Sequence, residues 1–157
     1  MKIKLFAIGA TDVPYLQEGI DQYLKRLLHY IPVEIICIPG IRTEKSASPD
    51  HMKEQEGKFI LRHLTDSDAA VLLDEHGKQM TSRAFSEYLQ QAMNRGVRTL
   101  TFITGGAYGF SDAVYNRVQE RISLSSMTFP HQLVRLIFME QLYRAFTILK
   151  GESYHHI

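Results

Sequence analysis

Short apolar runs alternate along this chain with segments of helical periodicity, and this alternation constrains the fold more than any other feature. Strand-like runs, apolar and often β-branched, cover residues 3–8, 33–38, 69–73, 99–104 and 122–124. Helical spacing of apolar residues covers residues 13–28, 50–64, 82–95, 111–121 and 132–150. This order predicts a single α/β domain with a mainly parallel sheet and helices on both faces.

The last predicted helix is apolar over most of its circumference, which is unusual for a terminal helix. Its apolar residues are Leu133, Val134, Leu136, Ile137, Phe138, Met139, Leu142, Ala145, Phe146, Ile148 and Leu149. A helix that is apolar nearly all round must be buried nearly all round. We expect it to pack on its own domain with one side and on a second subunit with another, as a two-fold homodimer. The alternative is a central helix covered by its own chain alone.

Composition excludes several classes of protein. A charged fraction of 22% and a hydrophobic fraction of 45% are typical of a globular domain rather than a disordered one. The single cysteine, Cys37, excludes a disulfide framework and fits a reducing cytoplasm. No apolar run approaches eighteen residues, so no membrane partner is expected. A net charge of only +1 means that an RNA partner requires a local basic surface rather than bulk charge.

A glycine cluster after the fourth predicted strand is the first candidate ligand site. Gly105, Gly106 and Gly109 allow the backbone to approach a ligand closely, and ligands of open α/β sheets bind beyond the carboxyl ends of the strands. The spacing matches neither the dinucleotide-binding fingerprint nor the Walker loop. A plain tight turn before a helix explains the cluster equally well.

Two later segments are further candidates. Residues 124–135 lie between a short strand and the apolar helix, and their hydroxyl and carbonyl groups can hold an adenine edge and a ribose. A simple turn is the alternative for each serine. The tail carries Tyr154, His155 and His156; paired terminal histidines are usually surface residues, and no cysteine or carboxylate cluster provides zinc-ligand spacing, so no metal site is expected.

Taken together and in order, these segments resemble the ribosomal RNA large-subunit methyltransferase H family, and the likeness extends from the first strand to the tail. The matching blocks are Leu73-Asp74 with Gly77-Lys78, Ile103 to Gly109, Leu124 to Arg135, Glu140 to Ala145, and Tyr154-His155. The Leu-Ser-Ser-Met-Thr-Phe-Pro-His block and the Tyr-Arg-Ala sequence of the helix are highly specific in this order. The tail departs slightly, because His156 and Ile157 follow His155 where relatives tend to have a strongly basic residue.

The resemblance implies a SPOUT-type fold, in which the C-terminal segment forms a trefoil knot, and an obligate homodimer. It implies S-adenosyl-L-methionine as the cofactor and methylation of N3 of a pseudouridine in helix 69 of 23S rRNA on the assembled 70S ribosome, with RNA rather than DNA as the partner. Position by position, it assigns cofactor contacts to Leu73, Gly105, Leu124, Ser125, Ser126, Met127, Thr128 and Phe129, with Gly106 and Ile122 as neighbours.

Methyl transfer to an imide nitrogen also requires the departure of a proton, which calls for a general base or a path to solvent. His155 is the candidate base, because imidazole exchanges its proton near neutral pH. Arg135 and Arg144 are candidates for stabilising charge on the uracil oxygens. Asp74 either positions the cofactor or serves only as a turn residue at the end of a strand.

A basic surface for RNA can be assembled from Arg42, Lys45, Arg135, Arg144, Lys150 and the tail histidines, doubled in a dimer. Two other functions stay open on the residues alone. The glycine turn also suits a nucleotide- or phosphate-binding α/β protein, and a non-catalytic ribosome-binding factor can keep the same fold without the activity.

Overall fold

A five-stranded parallel sheet forms the centre of the protein. The computed structural model describes residues 1–40 and 48–156. The strands follow the order β2-β1-β4-β3-β5 across the sheet, and each neighbouring pair is parallel. Their bounds are β1 Lys2–Ile8, β2 Val33–Ile38, β3 Ala69–Gln79, β4 Thr99–Thr104 and β5 Arg121–Ser123.

Five helices connect and cover the strands in the described part of the chain. They are α1 Pro14–Leu27, α2 Pro49–His63, α3 Ser82–Asn94, α4 Asp112–Arg117 and α5 His131–Leu149. Ser48, Thr81 and Ser111 cap α2, α3 and α4, because each side-chain oxygen accepts a backbone N–H three residues later. The predicted α/β class with a parallel sheet and helices on both faces is confirmed.

Alternate residues of the strands build a core on each face of the sheet. Ile3 and Leu5 of β1 point into the larger core, which packs against α1, α3 and α5. Phe6 and Ile8 of the same strand belong to the smaller core against α2 and α4. Successive side chains of a strand point to opposite faces of the sheet. Because helices cover both faces here, both sets of side chains are buried, and the strands are therefore continuous apolar runs rather than alternating ones.

The structure corrects the prediction for β3, which was expected to end at Leu73 and continue as a loop. Leu73 and Lys78 both pair with Ile122, so residues 74–77 bulge out of the ladder and the strand then resumes. A Cβ on Gly77 would lie 2.7 Å from backbone atoms of Arg121 and Ile122, which leaves no space for a side chain. Polar residues suggested a loop, but pairing with the edge strand β5 extends the strand.

The fourth helix is also shorter than predicted. It ends at Arg117, because Val118 adopts an extended conformation, and the chain then pairs as β5 from Arg121. The predicted end near residue 121 was wrong, since pairing to β3 competes with continued helix. The polar composition of residues 41–49 predicts a mobile loop, but residues 41–47 lie outside the described residues; Ser48 and Pro49 belong to the start of α2.

The helix α5 packs between α1 and α3 against the sheet. None of residues 132–149 is fully exposed, so this one chain already covers part of every side of the helix. Leu133, Ile137 and Ile148 are nevertheless only half-buried. None of the helices in residues 1–40 and 48–156 combines the length and apolarity that crossing a membrane requires.

Candidate functional site

An open cavity of about 480 Å³ lies at the carboxyl ends of β3, β4 and β5. Three segments enclose it: residues 73–76 after the core of β3, residues 104–110 after β4, and residues 123–131 between β5 and α5. Tyr115 of α4 and Val134 of α5 complete the wall. Ligands of parallel α/β sheets bind at this edge, and small-molecule sites typically measure roughly 300–1,000 Å³.

The glycine turn after β4 forms one side of the cavity. The Gly109 N–H donates to the Gly106 carbonyl at 3.3 Å, which closes the turn. A Cβ on Gly106 would lie 2.5 and 2.7 Å from the two carboxyl oxygens of Glu56 on α2. Burial raises the pKa of the Glu56 carboxyl group. Glycine at position 106 therefore allows a half-buried acid to lie directly behind the cavity wall.

The bulge in β3 contributes a carboxylate with a fixed orientation. Asp74 accepts a hydrogen bond from the Tyr115 hydroxyl at 2.5 Å and another from the His76 N–H at 3.1 Å. The Arg121 guanidinium lies over the Tyr115 ring, 4.1 Å from its centroid. Burial, followed by the hydrogen bond to Asp74, raises the pKa of the Tyr115 phenol, which stays a donor. Asp74 is thus held as a hydrogen-bond acceptor in the lining of the cavity.

The loop between β5 and α5 closes the cavity and is shaped by its own serines. The Ser123 hydroxyl donates to the Ser125 carbonyl at 2.9 Å, and the Ser125 hydroxyl accepts the Met127 N–H at 2.9 Å. Met127 and Tyr108 leave large apolar surfaces exposed at the rim, with 74% and 53% of their areas accessible. The loop is thus fixed by its own hydrogen bonds, and large apolar side chains lie at the rim of the cavity.

Most of the predicted cofactor residues meet in this cavity. Those that line it are Leu73, Gly105, Leu124, Ser125, Met127, Thr128 and Phe129, with the predicted neighbour Gly106. Ser126 is exposed and Ile122 is buried in the sheet, and neither lines the cavity. Sequence reasoning missed Tyr115 because its contact with Asp74 joins residues 41 positions apart and follows no local pattern.

Arg135 lies in the interior, and this corrects its expected place on an RNA-facing basic surface. Only 2% of it is exposed, and its guanidinium donates to the carbonyls of Ile8 and Gly9 and to the Thr11 hydroxyl. Burial lowers its pKa, and no carboxylate of the described residues forms an ion pair with it. Arg135 therefore fastens the start of α5 to the carboxyl end of β1.

Arg144 and the tail form a second polar cluster near the other end of α5. Glu140 accepts from the Arg144 Nε at 3.0 Å and from the Tyr154 hydroxyl at 3.2 Å. The Arg144 guanidinium lies 4.8 Å from the centroid of the Tyr154 ring, and its Nη1 lies 3.3 Å from His155 Nδ1. The hydrogen bond with Glu140 raises the pKa of Arg144. The tail is thus ordered on α5.

Two tyrosines, one in α1 and one just after it, also contact the tail. The Tyr30 hydroxyl donates to Glu152 at 2.6 Å, a contact that raises the pKa of Tyr30 to about 12. The hydroxyls of Tyr23 and Tyr154 lie 3.3 Å apart. The terminal histidine region is therefore anchored by both α1 and α5, against the general expectation that chain ends fray.

The remaining residues of the predicted basic surface are only partly described. Lys150 is exposed just after α5, whereas Arg42 and Lys45 lie outside the described residues. Within residues 1–40 and 48–156 no group of three or more histidine, cysteine or acidic side chains is arranged to hold a metal ion.

Comparison with known proteins gives the family. The family model described as predicted SPOUT methyltransferase matches residues 1–155. Ribosomal RNA large subunit methyltransferase H of Flavobacterium johnsoniae is 54% identical over 156 residues, and its counterpart in Parabacteroides distasonis is 53% identical over 156 residues. Each alignment covers 99% of this chain and 99% of the relative.

Solved structures are more distant. A putative methyltransferase of Legionella pneumophila, solved with bound S-adenosylmethionine, aligns with 12% identity and a TM-score of 0.48 over 90% of this chain and 65% of the other. A putative methylase family protein of Neisseria gonorrhoeae aligns with 16% identity and a TM-score of 0.47, and the alignment covers 99% of this chain and 85% of the other. The family assignment depends on the sequence matches instead: this chain belongs to the SPOUT methyltransferases and, among them, to the ribosomal RNA large subunit methyltransferase H family.

Proposed function

We propose that this protein is an S-adenosylmethionine-dependent enzyme that methylates N3 of a pseudouridine in helix 69 of 23S rRNA, acting in the cytoplasm on the assembled 70S ribosome. The observation that carries the proposal is the cavity at the carboxyl edge of the sheet. Residues that the family resemblance assigns to cofactor binding come from three distant parts of the chain and line this one space.

The lining of the cavity fits the chemistry of the cofactor. Leu73, Leu124 and Phe129 offer apolar surface to an adenine ring, and the glycine turn offers backbone groups without side chains in the way. Asp74 and Glu75 add carboxylates beside a ligand that carries a sulfonium and an ammonium group. When bound, the cofactor supplies the methyl group; the protein's task is to align donor and acceptor.

The separation between the cavity and Arg144 along one helix supports a site that is shared between two subunits. Val134 lines the cavity, and Arg144 is ten residues further along the same helix, which corresponds to about 15 Å. Arg144 also donates to Glu140 and lies beside His155, so its side chain belongs to the cluster at the tail. We therefore place Arg144 and His155 as the RNA-side residues of a site whose cofactor lies in the partner subunit of a homodimer.

The half-buried apolar residues of α5 support such a dimer. Leu133, Ile137 and Ile148 lie along one side of the helix at roughly helical spacing and are incompletely covered by their own chain. A two-fold arrangement buries the same stripe on both subunits, as closed homodimers do.

The path of the chain after β5 supports the proposed trefoil knot. Asp12 and Gln132 exchange two hydrogen bonds of 2.7 and 3.1 Å, so α5 begins beside the loop after β1. Since β4 and β3 separate β1 from β5, residues 124–130 must cross the carboxyl ends of two strands. Mechanical extension from both termini tests the knot: a knotted chain stays shorter than its contour length, and full extension contradicts it.

Methylation of ribosomes tests the activity directly. Purified protein is incubated with labelled cofactor and 70S ribosomes from cells that lack the enzyme, and the labelled nucleotide is mapped. We expect label at a pseudouridine of helix 69. Absence of label with intact cofactor binding would indicate a non-catalytic ribosome-binding factor. Binding of a mononucleotide in place of S-adenosylhomocysteine, measured by calorimetry, would indicate a nucleotide-binding protein.

Mixed dimers test the shared site. Gly105→Leu blocks the cavity, and a chain ending at Ser153 lacks the tail; each homodimer is expected to be inactive. If the tail acts on the partner's cavity, dimers formed from one chain of each kind regain activity, because one intact cavity meets one intact tail. Calorimetry with S-adenosylhomocysteine confirms that the truncated chain still binds ligand. Mixed dimers with no activity would contradict the arrangement.

A further inference from the structure

The contact between Arg144 and His155 determines which nitrogen of the imidazole carries hydrogen. Arg144 Nη1 lies 3.3 Å from His155 Nδ1. A guanidinium has five N–H donors and no acceptor, so the nitrogen facing it must accept. In a neutral imidazole one nitrogen accepts and the other donates. When the ring of His155 is neutral, its lone pair is therefore at Nδ1, where it faces Arg144, and its hydrogen is at Nε2.

The surrounding cluster holds this arrangement rigidly. Glu140 accepts from both Nε and Nη2 of Arg144 and from the Tyr154 hydroxyl, so the guanidinium plane is fixed on two sides. Tyr154, the neighbour of His155, lies against the same guanidinium. Gln141 donates to the second oxygen of Glu140 at 2.7 Å, which orients the carboxylate itself. The direction of the Arg144 N–H bonds, and hence the acceptor role of His155 Nδ1, follows from these contacts.

From this geometry we infer that His155 acts as a hydrogen-bond donor to a carbonyl oxygen of the target base, through Nε2–H, and not as the general base. The inference rests on the proposed function, which brings the tail to the RNA. Arg144 is the positioning residue of this donor. The assignment replaces the sequence-based expectation of a basic imidazole, because the nitrogen left free by Arg144 bears a hydrogen and has no lone pair to accept a proton.

A donor at this place suits the charge changes of the reaction. The N3 proton of the base goes to solvent water, which leaves negative charge shared between N3 and the adjacent carbonyl oxygens. The N3–carbon bond then forms as the carbon–sulfur bond breaks, and the electron pair of the broken bond stays on sulfur. An N–H held against a carbonyl oxygen stabilises the charge before and during transfer. Removal of one such donor typically costs on the order of 10²-fold to 10³-fold in rate.

Two amide substitutions of His155 separate the roles. A glutamine side chain places its amide nitrogen near the position of imidazole Nε2, whereas an asparagine amide reaches only to about Nδ1. A donor role predicts that His155→Gln keeps most of the rate, while His155→Asn and His155→Ala lose on the order of 10²-fold. If both amides are as inactive as alanine, the donor role is wrong. His29→Gln, a change of an exposed histidine outside the cluster, is the matched control.

Nitrogen NMR of the protein without RNA tests the tautomer independently of catalysis. We expect His155 to show an unprotonated Nδ1 and a protonated Nε2, and Arg144→Met to broaden or shift the Nδ1 signal while Arg98→Met does not. A protonated Nδ1 in the neutral ring overturns the inference. If the wild-type protein fails to methylate ribosomes, the proposed function fails, yet this measurement still decides the state of His155.

Discussion

Replacing Arg135 with methionine tests whether this buried side chain fastens α5 to β1. Methionine keeps most of the unbranched apolar stem but removes the guanidinium, which donates to two backbone carbonyls and one hydroxyl. Hydrogen bonds from a charged donor contribute about 1.5–3 kcal/mol each. The loss of these three hydrogen bonds is partly offset. Burying an unpaired charge costs several kcal/mol of desolvation free energy in the wild type, and the methionine variant does not have this cost.

We expect a net loss of about 3 kcal/mol in the free energy of unfolding, which corresponds to roughly 6–12 °C in melting temperature for a chain of this size. Affinity for S-adenosylhomocysteine should fall as well. The reason is that Val134 and His131, which line the cavity, lie within one helical turn of the lost anchor.

The assay is urea denaturation followed by circular dichroism at one fixed subunit concentration, since dissociation of a dimer makes stability concentration-dependent. Arg98→Met, a change of an exposed arginine, is the matched control and should remain within about 0.5 kcal/mol of wild type. If the free energy of unfolding of Arg135→Met also lies within about 0.5 kcal/mol of wild type, the guanidinium does not anchor α5 to β1.

Three further substitutions test residues that line the cavity or lie next to its lining. Gly77→Ala forces a Cβ against the backbone of β5, so we expect a loss of about 1–3 kcal/mol in denaturation experiments and weaker ligand binding; wild-type stability would contradict the tight packing. Burial raises the pKa of Glu56, so wild-type stability falls as pH rises through that pKa. Glu56→Gln should therefore match wild type in acid, where Glu56 is protonated in both the folded and the unfolded chain, and exceed it at neutral pH; a pH-independent difference would contradict this. Tyr115→Phe removes one of the two hydrogen bonds that orient Asp74 and should weaken S-adenosylhomocysteine binding by about 0.5–1.5 kcal/mol in calorimetry; unchanged affinity would contradict this.

The sequence predicted those parts of the fold that depend on local pattern. The continuous apolar runs gave β2 and β4 at their observed bounds, and the helical spacing from residue 111 gave the start of α4 to within one residue. The extension of β3 beyond Leu73 was missed, because its second half pairs through Lys78 and Gln79 with a three-residue strand more than forty positions away. Local composition there is that of a loop.

The candidate site was likewise predictable only where it depends on local sequence. The glycine turn after β4 and the hydroxyl-rich segment after β5 are contiguous blocks in a family-specific order, and they pointed to the cavity lining. The place of Arg135 could not be predicted, because an arginine on an apolar helix is equally compatible with a buried or an exposed guanidinium until its acceptors are known. Those acceptors are carbonyls of Ile8 and Gly9, more than 120 residues away.

The interior position of β1, between β2 and β4, has a consequence for biosynthesis. During synthesis β1 leaves the ribosome long before its partner β4, and Lys2 meets Thr99 in the ladder. At translation rates of about 5–20 residues per second, roughly 5–20 s pass before that partner exists. During this time β1 and β2 expose two apolar faces and an unpaired edge. The nascent chain is therefore expected to need chaperone protection until β4 is made, and the cavity exists only after residues 123–131, which close it, have followed.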